Sequence, residues 1–441
     1  MLKRIISAIL ICTMAVSVTA CTYVEPPECE PGNMHSSFST SFSIMKGEDG
    51  YYHRGNYQAS EYHYVSGIPF YYDNETGKST VLCSKPQCLH DGNEFCAASA
   101  QENSAIINLS AFSLYDGYIY NLYNLRRLDE EGHLDSFYEI KLKRYDLRGN
   151  ECSDLGVIAN FAVESGKYIA NVHQHLYHCG KLFYTMSYYD EGELFVFDLK
   201  SRENKKIEIP PNAEGGKNNG LRGLTADGDY LYYAIRYTKY RKNSMMTEND
   251  IVYDDTVLRR YNIKTGETEV ISAMPDIYDS FTVNDGIVYY TMIDGANNTF
   301  SLYSYDISED KITALAEKLQ QNYLNRYHFS GGVQITTDRK YLYISTGCTT
   351  SNNQDSSDYE NDFYVYSLDG EQLLHGLDNL PADIPAWQYD MNVLDGEIYL
   401  DFDDMSRTGN DANDMISGVY MIKTEELING SSNWKRLYKE G

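Results

Sequence analysis

The sequence predicts an all-β protein, a single β-propeller of seven four-stranded blades, and three observations lead to that prediction. Tyrosine is unusually frequent, with 42 copies in 441 residues, and its ring packs in half-buried strands while its hydroxyl stays wet. A tight-turn signal, usually Asp-Gly, recurs seven times before an aromatic strand. A second element of the type "LYSYDISEDKI" follows each turn signal in step, as at Leu302 to Ile312.

Each repeat is predicted to supply four strands, named A to D, with the Asp-Gly turn between A and B. Asp-Gly suits a two-residue hairpin because glycine accepts a positive φ without a Cβ clash. The copies recur roughly every 50 to 65 residues, a little longer than typical propeller repeats. The seven copies of the turn with its strand begin at Asp49-Gly50, Asp116-Gly117, Cys179-Gly180, Asp227-Gly228, Asp285-Gly286, Asp338-Arg339 and Asp395-Gly396.

A closed ring is the expected architecture because one such sheet cannot bury both faces alone, whereas neighbouring blades cover each other. Six or eight blades remain alternatives, since the copies at Gly180 and Arg339 are degenerate. Repeat one has its own A strand around Phe42 to Met45, and repeat seven its own D strand around Trp434 to Tyr438. We therefore expect no strand to be exchanged between the two ends of the ring.

The strand pattern resembles that of the LDL-receptor-related (YWTD-type) β-propellers and of bacterial lipoprotein propellers. The match is at the level of architecture, over about Ile44 to Tyr438. Its nearest copy has Tyr290 where that family has Trp and Met292 where it has Asp, and a second copy reads Phe183-Tyr184-Thr185. The resemblance implies a propeller fold and brings no activity with it.

The first twenty residues have the layout of a secretory signal, with Lys3 and Arg4 before an apolar run from Ile5 to Val18. Val18-Thr19-Ala20-Cys21 resembles the lipobox of bacterial lipoproteins, which implies acylation (palmitate or a similar chain) of Cys21 as the new N-terminus. The expected organisation is a signal peptide over residues 1–20, a lipidated cysteine with its tether over 21–41, and the propeller over 42–441. An ordinary signal peptide with an incidental cysteine is the alternative.

The formal charge of −27 excludes some classes of partner. A surface this acidic repels nucleic acid and anionic headgroups, so the expected membrane contact is the lipid anchor alone. We expect a protein on the extracytoplasmic face of the cell membrane.

The A–B and C–D turns of a propeller lie at one end of the ring, here named the tight-turn end, and the other connections lie at the opposite, long-loop end. Because loops on a rigid scaffold carry most binding sites, we expect function at the long-loop end. The expected long loops are Asn124 to Leu134, Arg236 to Asp255, Thr346 to Asp362 and Asp403 to Ile416.

Three sets of polar residues are candidate sites, each weighed against an ordinary structural role. The basic stretch forms a possible binding loop for an acidic glycan, with a hydrated loop as the alternative. Two histidines that share a strand face form a possible channel metal site, with packed histidines as the alternative. An aspartate group is a possible calcium site that does not match the EF-hand spacing, with solvated carboxylates as the alternative. In that order the residues are Arg236, Lys239, Tyr240, Arg241 and Lys242; His173 and His175, beside His178 and Cys179; and Asp401, Asp403, Asp404, Asp411 and Asp414.

The segment "VLCSKPQCLHDGNEFCAA" holds Cys83, Cys88, His90 and Cys96 in the connection from blade one to blade two. Three chemistries remain open: disulfides, which persist outside the cell; a Cys3His zinc site; and a reactive thiol next to a base. Gut-bacterial propeller lipoproteins have a similar C-x-x-P-x-C-x-H element. We expect the segment to clamp the two blades together on the long-loop side.

No nucleophile elbow, zinc-protease motif, phosphate loop or dinucleotide fingerprint is present in the sequence. The expected function is therefore non-catalytic, the binding or scaffolding of an extracellular glycan or envelope protein. The alternative is a secreted hydrolase or lyase acting on polysaccharide or peptide, with carboxylates at the mouth of the channel.

Overall fold

The structure is a computed structural model. It describes residues 45–60, 63–85, 88–89, 105–128, 134–162, 171–188, 191–210, 217–241, 251–273, 280–294, 297, 299–320, 333–346, 362–376, 380–381, 390–404 and 416–440. The predicted signal peptide and tether lie outside these residues.

The described chain forms 28 strands, β1 to β28, and one short helix. The strands of blades one to four are Met45–Lys46, Gly50–Ser60, His63–Asp73 and Lys78–Val81 (β1–β4); Ala105–Tyr115, Tyr118–Leu128, Leu134–Asp146 and Cys152–Ala162 (β5–β8); Asn171–His178, Lys181–Tyr188, Glu191–Asp198 and Asn204–Ile207 (β9–β12); and Lys217–Asp227, Tyr230–Tyr240, Ile251–Asn262 and Thr268–Ala273 (β13–β16).

The strands of blades five to seven are Phe281–Asn284, Ile287–Asp294, Thr299–Asp306 and Lys311–Gln320 (β17–β20); Val333–Thr337, Tyr341–Thr346, Asp362–Ser367 and Gln372–His375 (β21–β24); and Asp390–Leu394, Glu397–Asp404, Ile416–Lys423 and Lys435–Glu440 (β25–β28). Each blade is an antiparallel sheet of four strands consecutive in sequence. The prediction of seven self-contained blades with no exchanged strand is confirmed.

Both faces of each sheet are covered by neighbouring blades. In blade four, Leu231, Tyr233 and Ile235 pack toward blade three, whereas Tyr232 and Ala234 pack toward blade five. The described residues contain seven such apolar clusters, one at each boundary between blades. Burial on both faces explains why the B strands are nearly continuous runs of apolar and aromatic residues.

The A–B turns show the predicted geometry in most blades. Asp116 and Gly117 have φ values of 49° and 70°, the pair of positive φ angles that a type I′ turn requires. In blade one the turn lies earlier than predicted, since Gly47 N–H donates to Gly50 O at 2.8 Å and Gly50 begins β2. Gly50 is required for a different reason: a Cβ there would lie 2.1 Å from Tyr72 O.

One helix, α1 (Thr424–Ile428), replaces the expected C–D turn of blade seven. Its buried residues Thr424 and Leu427 contact the blade, so it acts as a longer cap on the same connection. Within the described ranges, no helix has the length and apolarity needed to cross a bilayer.

In the described part of the chain, side chains hold blades seven and one together. Lys46 Nζ, on blade one, lies 3.1 Å from Oε1 of the buried Glu397, on blade seven. Tyr399 OH donates to the other carboxylate oxygen at 2.5 Å, and burial together with this carboxylate raises the pKa of Tyr399. The Tyr51 ring packs edge-on against Tyr399 with 5.8 Å between centroids. An ion pair between a buried carboxylate and a half-buried lysine therefore lies at the boundary that closes the ring.

Replacing Glu397 with Ala is expected to lower the free energy of unfolding by about 2 to 3 kcal/mol, because Lys46 and the Tyr399 hydroxyl lose their buried partner. Urea unfolding of the purified protein measures this. Glu193→Ala is the matched control, since its partner Lys206 is more exposed, and is expected to cost less than about 1 kcal/mol. Equal losses for the two variants would contradict the role given to Glu397.

Candidate functional site

Two of the four expected long loops, those of blades two and four, are shorter than the sequence suggested, whereas those of blades six and seven have the expected bounds to within one residue. In blade two, the expected loop ran from Asn124 to Leu134. Leu128 pairs with Leu134, so β6 continues through Leu128 and only residues 129–133 connect the two strands. In blade four, Lys239 pairs with Tyr253 and Tyr240 with Ile251. The strands extend because the alternation of aromatic and polar residues continues past the body of the blade. The tips 129–133, 242–250, 347–361 and 405–415 lie outside the described residues.

The hairpins formed by strands B and C differ in length around the ring. Those strands have 11 to 13 residues in blades one, two and four, and 6 to 8 residues in the other blades. At roughly 3.3 Å per residue, three extra residues add about 10 Å of height. The long-loop end is therefore raised on one side of the ring, next to the shorter hairpin of blade three.

The inner wall of the ring has the same asymmetry. The A strands of neighbouring blades contact one another, which places them around the central axis. In blades two, three and four these strands have 11, 8 and 11 residues, whereas in the other blades they have 2 to 5. Among the described residues, the wall of the channel at the long-loop end is thus built mainly by β5, β9 and β13.

All three of these long A strands contain β-bulges in their long-loop half. The extra residues are Asn108 in β5, His173 in β9, and one residue at Asn219–Gly220 together with Gly223 in β13. The described A strands of the other blades have none. Bulges disrupt the ladder and are frequent beside binding sites, where they re-aim backbone and side-chain groups. We name β5, β9 and β13 in this half the bulged wall.

The bulges of β13 depend on two glycines in the left-handed region. Gly220 has φ +108° and Gly223 has φ +72°, and a Cβ on Gly223 would lie 2.6 Å from the ring of Phe281. Asn218 secures the first bulge, since its Nδ2 donates to Gly192 O of blade three and its Oδ1 accepts from Gly220 N–H. The sequence analysis missed this feature, although glycines inside a strand pattern signal a bulge.

One polar side-chain atom next to the bulge of β9 is unsatisfied. Gln174 Oε1 is buried and has no hydrogen-bond partner in the described chain. A buried acceptor without a donor is costly, so it is expected to accept a hydrogen bond from a buried water. In sequence, the three strands contain one carboxylate, Asp227, at the far end of β13, together with Lys217 and Arg222.

His175 is a packed histidine. Its Nε2 lies 2.9 Å from Ser113 Oγ of blade two, its ring is edge-on to Tyr177, and burial lowers its pKa to about 4. The side chains of the A strand point at neighbouring blades, because the faces of the sheet are the boundaries between blades. This environment agrees with the alternative given above, a packed histidine, rather than with a metal ligand. The side chain of His173 is outside the described set, so the paired metal site stays a prediction.

The predicted basic loop is a strand at its start. Arg236 and Lys239 lie on β14, opposite Thr256 and Tyr253, and Lys239 and Arg241 are exposed. Tyr237, between them, is buried and donates its hydroxyl proton to Pro210 O. The Tyr240 side chain and Lys242 lie outside the described residues. Arg236 and Lys239 therefore lie on a paired strand, and Arg241 directly follows it.

Only part of the predicted aspartate group belongs to the described residues. Asp401, Asp403 and Asp404 lie on β26, and Asp401 is directly opposite Asp390, the first residue of β25. Asp411 and Asp414 are outside the described residues. Among described side chains, no group of three or more His, Cys, Asp or Glu is arranged to hold a metal ion. The calcium prediction remains untested.

The cysteine segment begins at the tight-turn end, so its predicted place on the long-loop side is wrong for this part. Strand β4 has four residues, and Cys83 N–H then donates to Val81 O in a sharp reversal. Ser84 N–H and Oγ both donate to Gly149 O in the C–D turn of blade two. The segment contacts blade two, as a clamp would. Strand β4 begins at the tight-turn end and has only four residues, so the chain reverses before it reaches the long-loop end.

The chemistry of the segment stays open. No disulfide joins Cys83 to Cys88, and the Cys88 thiol is free. His90 and Cys96 lie outside the described residues, so neither the zinc site nor a disulfide to Cys96 is tested. Cys152 begins β8; it is also free, and it is exposed.

The tight-turn end is held together by bonds from one A–B hairpin to the next. Gly180 N–H donates to Tyr115 OH at 2.6 Å, His178 Nε2–H donates to Gly228 O at 2.7 Å, and Gly286 N–H donates to Asp227 Oδ2 at 3.0 Å. These groups belong to blades two to five. Their polar atoms are occupied by the fold, which leaves the long-loop end as the better candidate for ligand binding.

Arg339 extends this network to blade six. It has φ +75°, where most copies of the turn have glycine, and its Nη2 lies 3.8 Å from Asp227 Oδ1 of blade four. The guanidinium reaches past the turn of blade five, toward the axis of the ring. The degenerate turn therefore supplies a cation to a ring end that is rich in aspartates.

The fold and this geometry define a seven-bladed β-propeller with an asymmetric long-loop end. No family model matches the chain, and no curated protein matches it. The resemblance to YWTD-type propellers thus stays a prediction.

Solved structures that resemble the chain include propeller-containing peptidases. A prolyl endopeptidase is 10% identical, with a TM-score of 0.49 over 94% of this chain and 50% of that chain. The acylaminoacyl peptidase of Pyrococcus horikoshii is 12% identical (TM-score 0.43, 72% and 44%), and the propeller domain of the Trilobed protease of Pyrococcus furiosus is 13% identical (TM-score 0.42, 76% and 83%). The chain spans about half the length of the first two. At these identities the likeness concerns the fold alone.

Burial of His175 predicts a pH dependence of stability. The ring stays neutral in the folded protein down to about pH 4, whereas in the unfolded chain it takes up a proton below about pH 6.5. Lowering the pH through this window therefore favours unfolding, by about 2 kcal/mol between pH 7 and pH 5. In His175→Gln this contribution is expected to be absent, so that its unfolding free energy falls less steeply with decreasing pH.

Ser113→Ala is the control for this experiment, because it removes the contact of His175 and leaves the histidine buried. It is expected to lower stability at every pH while keeping the wild-type slope. Chemical unfolding at pH 7, 6 and 5 provides the comparison. Parallel pH curves for wild type and His175→Gln would show that the prediction is wrong.

Proposed function

We propose that this protein is a surface-anchored β-propeller that binds an extracellular acidic glycan at the long-loop end, against the bulged wall of blades two to four. The observation that carries the proposal is the concentration of bulges in three neighbouring A strands. The described A strands elsewhere in the ring are short and regular. The stability of the ring does not require this asymmetry.

The chemistry of this sector supports a ligand with hydroxyl and carboxylate groups. The inner edge of an A strand has no further strand beside it, so its backbone N–H and C=O groups face the channel. Such backbone groups can donate hydrogen bonds to sugar hydroxyls and accept hydrogen bonds from them. Lys239 and Arg241 are exposed on the raised B–C hairpin of blade four, and Lys217 and Arg222 lie on β13. Cations in one sector of a chain with charge −27 favour an acidic ligand.

The lipid anchor completes the proposed role. Acylation of Cys21 would hold the propeller at the extracytoplasmic face of the membrane, and residues 21–41 would be its tether. The protein then acts without catalysis, as a binding or scaffolding module of the cell envelope. Replacing Cys21 with Ser and fractionating cells tests this part separately, since a variant that stays in the membrane would contradict it.

The double variant Lys239→Ala/Arg241→Ala is expected to weaken binding of an acidic polysaccharide about tenfold, because two exposed charge contacts contribute roughly 1 kcal/mol or less each. A screen of acidic and neutral glycans and of peptidoglycan fragments selects the ligand, and titration calorimetry at two salt concentrations gives the affinity. Wild-type binding is expected to weaken as salt increases.

Lys264→Ala is the matched control, because Lys264 is an exposed cation of the same blade at the tight-turn end. It is expected to leave the affinity unchanged. Equal losses in the control and the double variant would place binding elsewhere or make it non-specific. Binding only to an envelope protein, with no glycan bound, would overturn the ligand class while keeping the site.

One observation favours the catalytic alternative. Asp390 and Asp401 are cross-strand partners at the long-loop end of blade seven, and such partners have Cβ atoms about 5 Å apart. Retaining glycosidases use two carboxyl groups about 5 to 5.5 Å apart, and the pairing of these two backbone positions makes Asp390 and Asp401 the candidates for such a pair. If the protein is a hydrolase or lyase, Asp390→Asn is expected to abolish turnover of a polysaccharide that wild type degrades. Absence of turnover on every bound glycan would remove the alternative.

A further inference from the structure

Arg259 is a buried arginine at the boundary between blades three and four. It lies on β15 directly opposite Tyr233, so it belongs to the face of blade four that packs against blade three. Only 7% of its surface is exposed. The guanidinium stays protonated in proteins, so the cost of burying it is not relieved by loss of a proton. The positive charge therefore needs a partner inside the boundary.

The fold gives this guanidinium a hydroxyl but no counter-charge. Burial raises the pKa of Tyr237, and the charge of Arg259 and its hydrogen bond to the Tyr237 hydroxyl act against that increase. The same hydroxyl donates its proton to Pro210 O at 2.8 Å, so it accepts from the guanidinium. Arg259 Nε is buried and has no hydrogen-bond partner in the described chain. No carboxylate among the described residues lies within ion-pair distance of Arg259.

Arg260, the next residue of β15, shows the usual arrangement of an arginine. Because successive side chains of a strand point to opposite faces, it faces away from blade three. Its guanidinium pairs with Glu269 and lies over the ring of Tyr230, 4.3 Å from the centroid. The chain has 64 acidic residues, yet the more exposed arginine has a carboxylate partner and the buried one has none. A shortage of acidic residues does not explain this difference.

The boundary opens to solvent one strand outward from Arg259. Val270, on the edge strand β16, lies directly opposite Arg259 and therefore on the same face, and it is 53% exposed. Strand β16 also contains a bulge at Ile271, between the partners of Leu258 and Arg259, and bulges are frequent beside binding sites. The edge strand of blade three, β12, has only four residues. The guanidinium is therefore approached from the outer rim of the ring, away from the channel.

We propose that Arg259 is the centre of a binding site for a small oxyanion, of the phosphate, sulfate or carboxylate class, between blades three and four. Nε–H and one Nη–H of a guanidinium form a fork that bonds two oxygens of such an anion. The anion also neutralises the buried charge, which a water molecule does not do. The low exposure of Arg259 limits the ligand to a small one. The site lies outside the bulged wall and is independent of the proposed glycan binding.

A carboxylate of the chain itself is the competing counter-charge. Residues 211–216, which lie outside the described residues, connect Pro210 to β13 and contain Glu214. A glutamate bonded to the fork would occupy the place of the anion. The experiment therefore includes Glu214→Gln, which is expected to leave anion binding unchanged.

Thermal unfolding of the purified protein tests the proposal, with chloride replaced by phosphate, sulfate or acetate at constant ionic strength. The unfolding temperature of wild type is expected to rise in a saturable way, by about 1 to 2 °C at ten times the dissociation constant. Titration calorimetry with the same anions is expected to give one site per chain. A wild-type protein with no saturable response to any of the three anions would overturn the proposal.

Arg259→Gln is expected to lose the response, and Arg260→Gln is the matched control that keeps it. Arg259→Lys retains the charge but not the fork, and it is expected to fold and to bind the anion about tenfold more weakly. An equal loss in Arg260→Gln, or an unchanged affinity in Arg259→Lys, would contradict the site. If wild type binds no anion and Glu214→Gln loses as much stability as Arg259→Gln, the counter-charge belongs to the chain and the proposal is wrong.

Discussion

Ring closure without strand exchange is the constraint on which the rest of this structure depends. Every blade has two apolar faces, and the last uncovered pair belongs to blades one and seven. No strand crosses that boundary, so it is held by Glu397 with its two partners and by the tyrosines around them. The charge is tolerated there because Lys46 and the Tyr399 hydroxyl satisfy both carboxylate oxygens.

Closure also explains why the two ends of the ring differ. Hydrogen bonds from hairpin to hairpin at the tight-turn end require short connections of uniform geometry, and the A–B turns of blades two to five supply them. Variation in length is then confined to the opposite end. At that end the B–C hairpins of blades one, two and four are longer than the others. The A strands of blades two to four contain bulges there, while the apolar boundaries between the blades are kept.

The fold was largely predictable from the sequence because its determinants are local. The Asp-Gly turns and the aromatic strands after them set seven hairpins, and Asp116 and Gly117 adopt the expected positive φ angles. The candidate site was less predictable. A bulge shifts side chains by one position, so His173 and His175 do not stand in the simple relation that strict alternation implies. The place of Cys83 depended on the length of one four-residue strand, which no sequence pattern fixes.

Construction from consecutive strands has a consequence for biosynthesis. Each blade completes its own hydrogen bonds as soon as its four strands have left the ribosome or the export channel, since no strand waits for a distant partner. Blade one is the exception on its outer face, where Tyr51 and Tyr72 remain uncovered until Tyr399 and Leu437 arrive. A chain stopped before blade seven would thus expose this tyrosine surface to solvent, where an uncovered apolar patch favours aggregation.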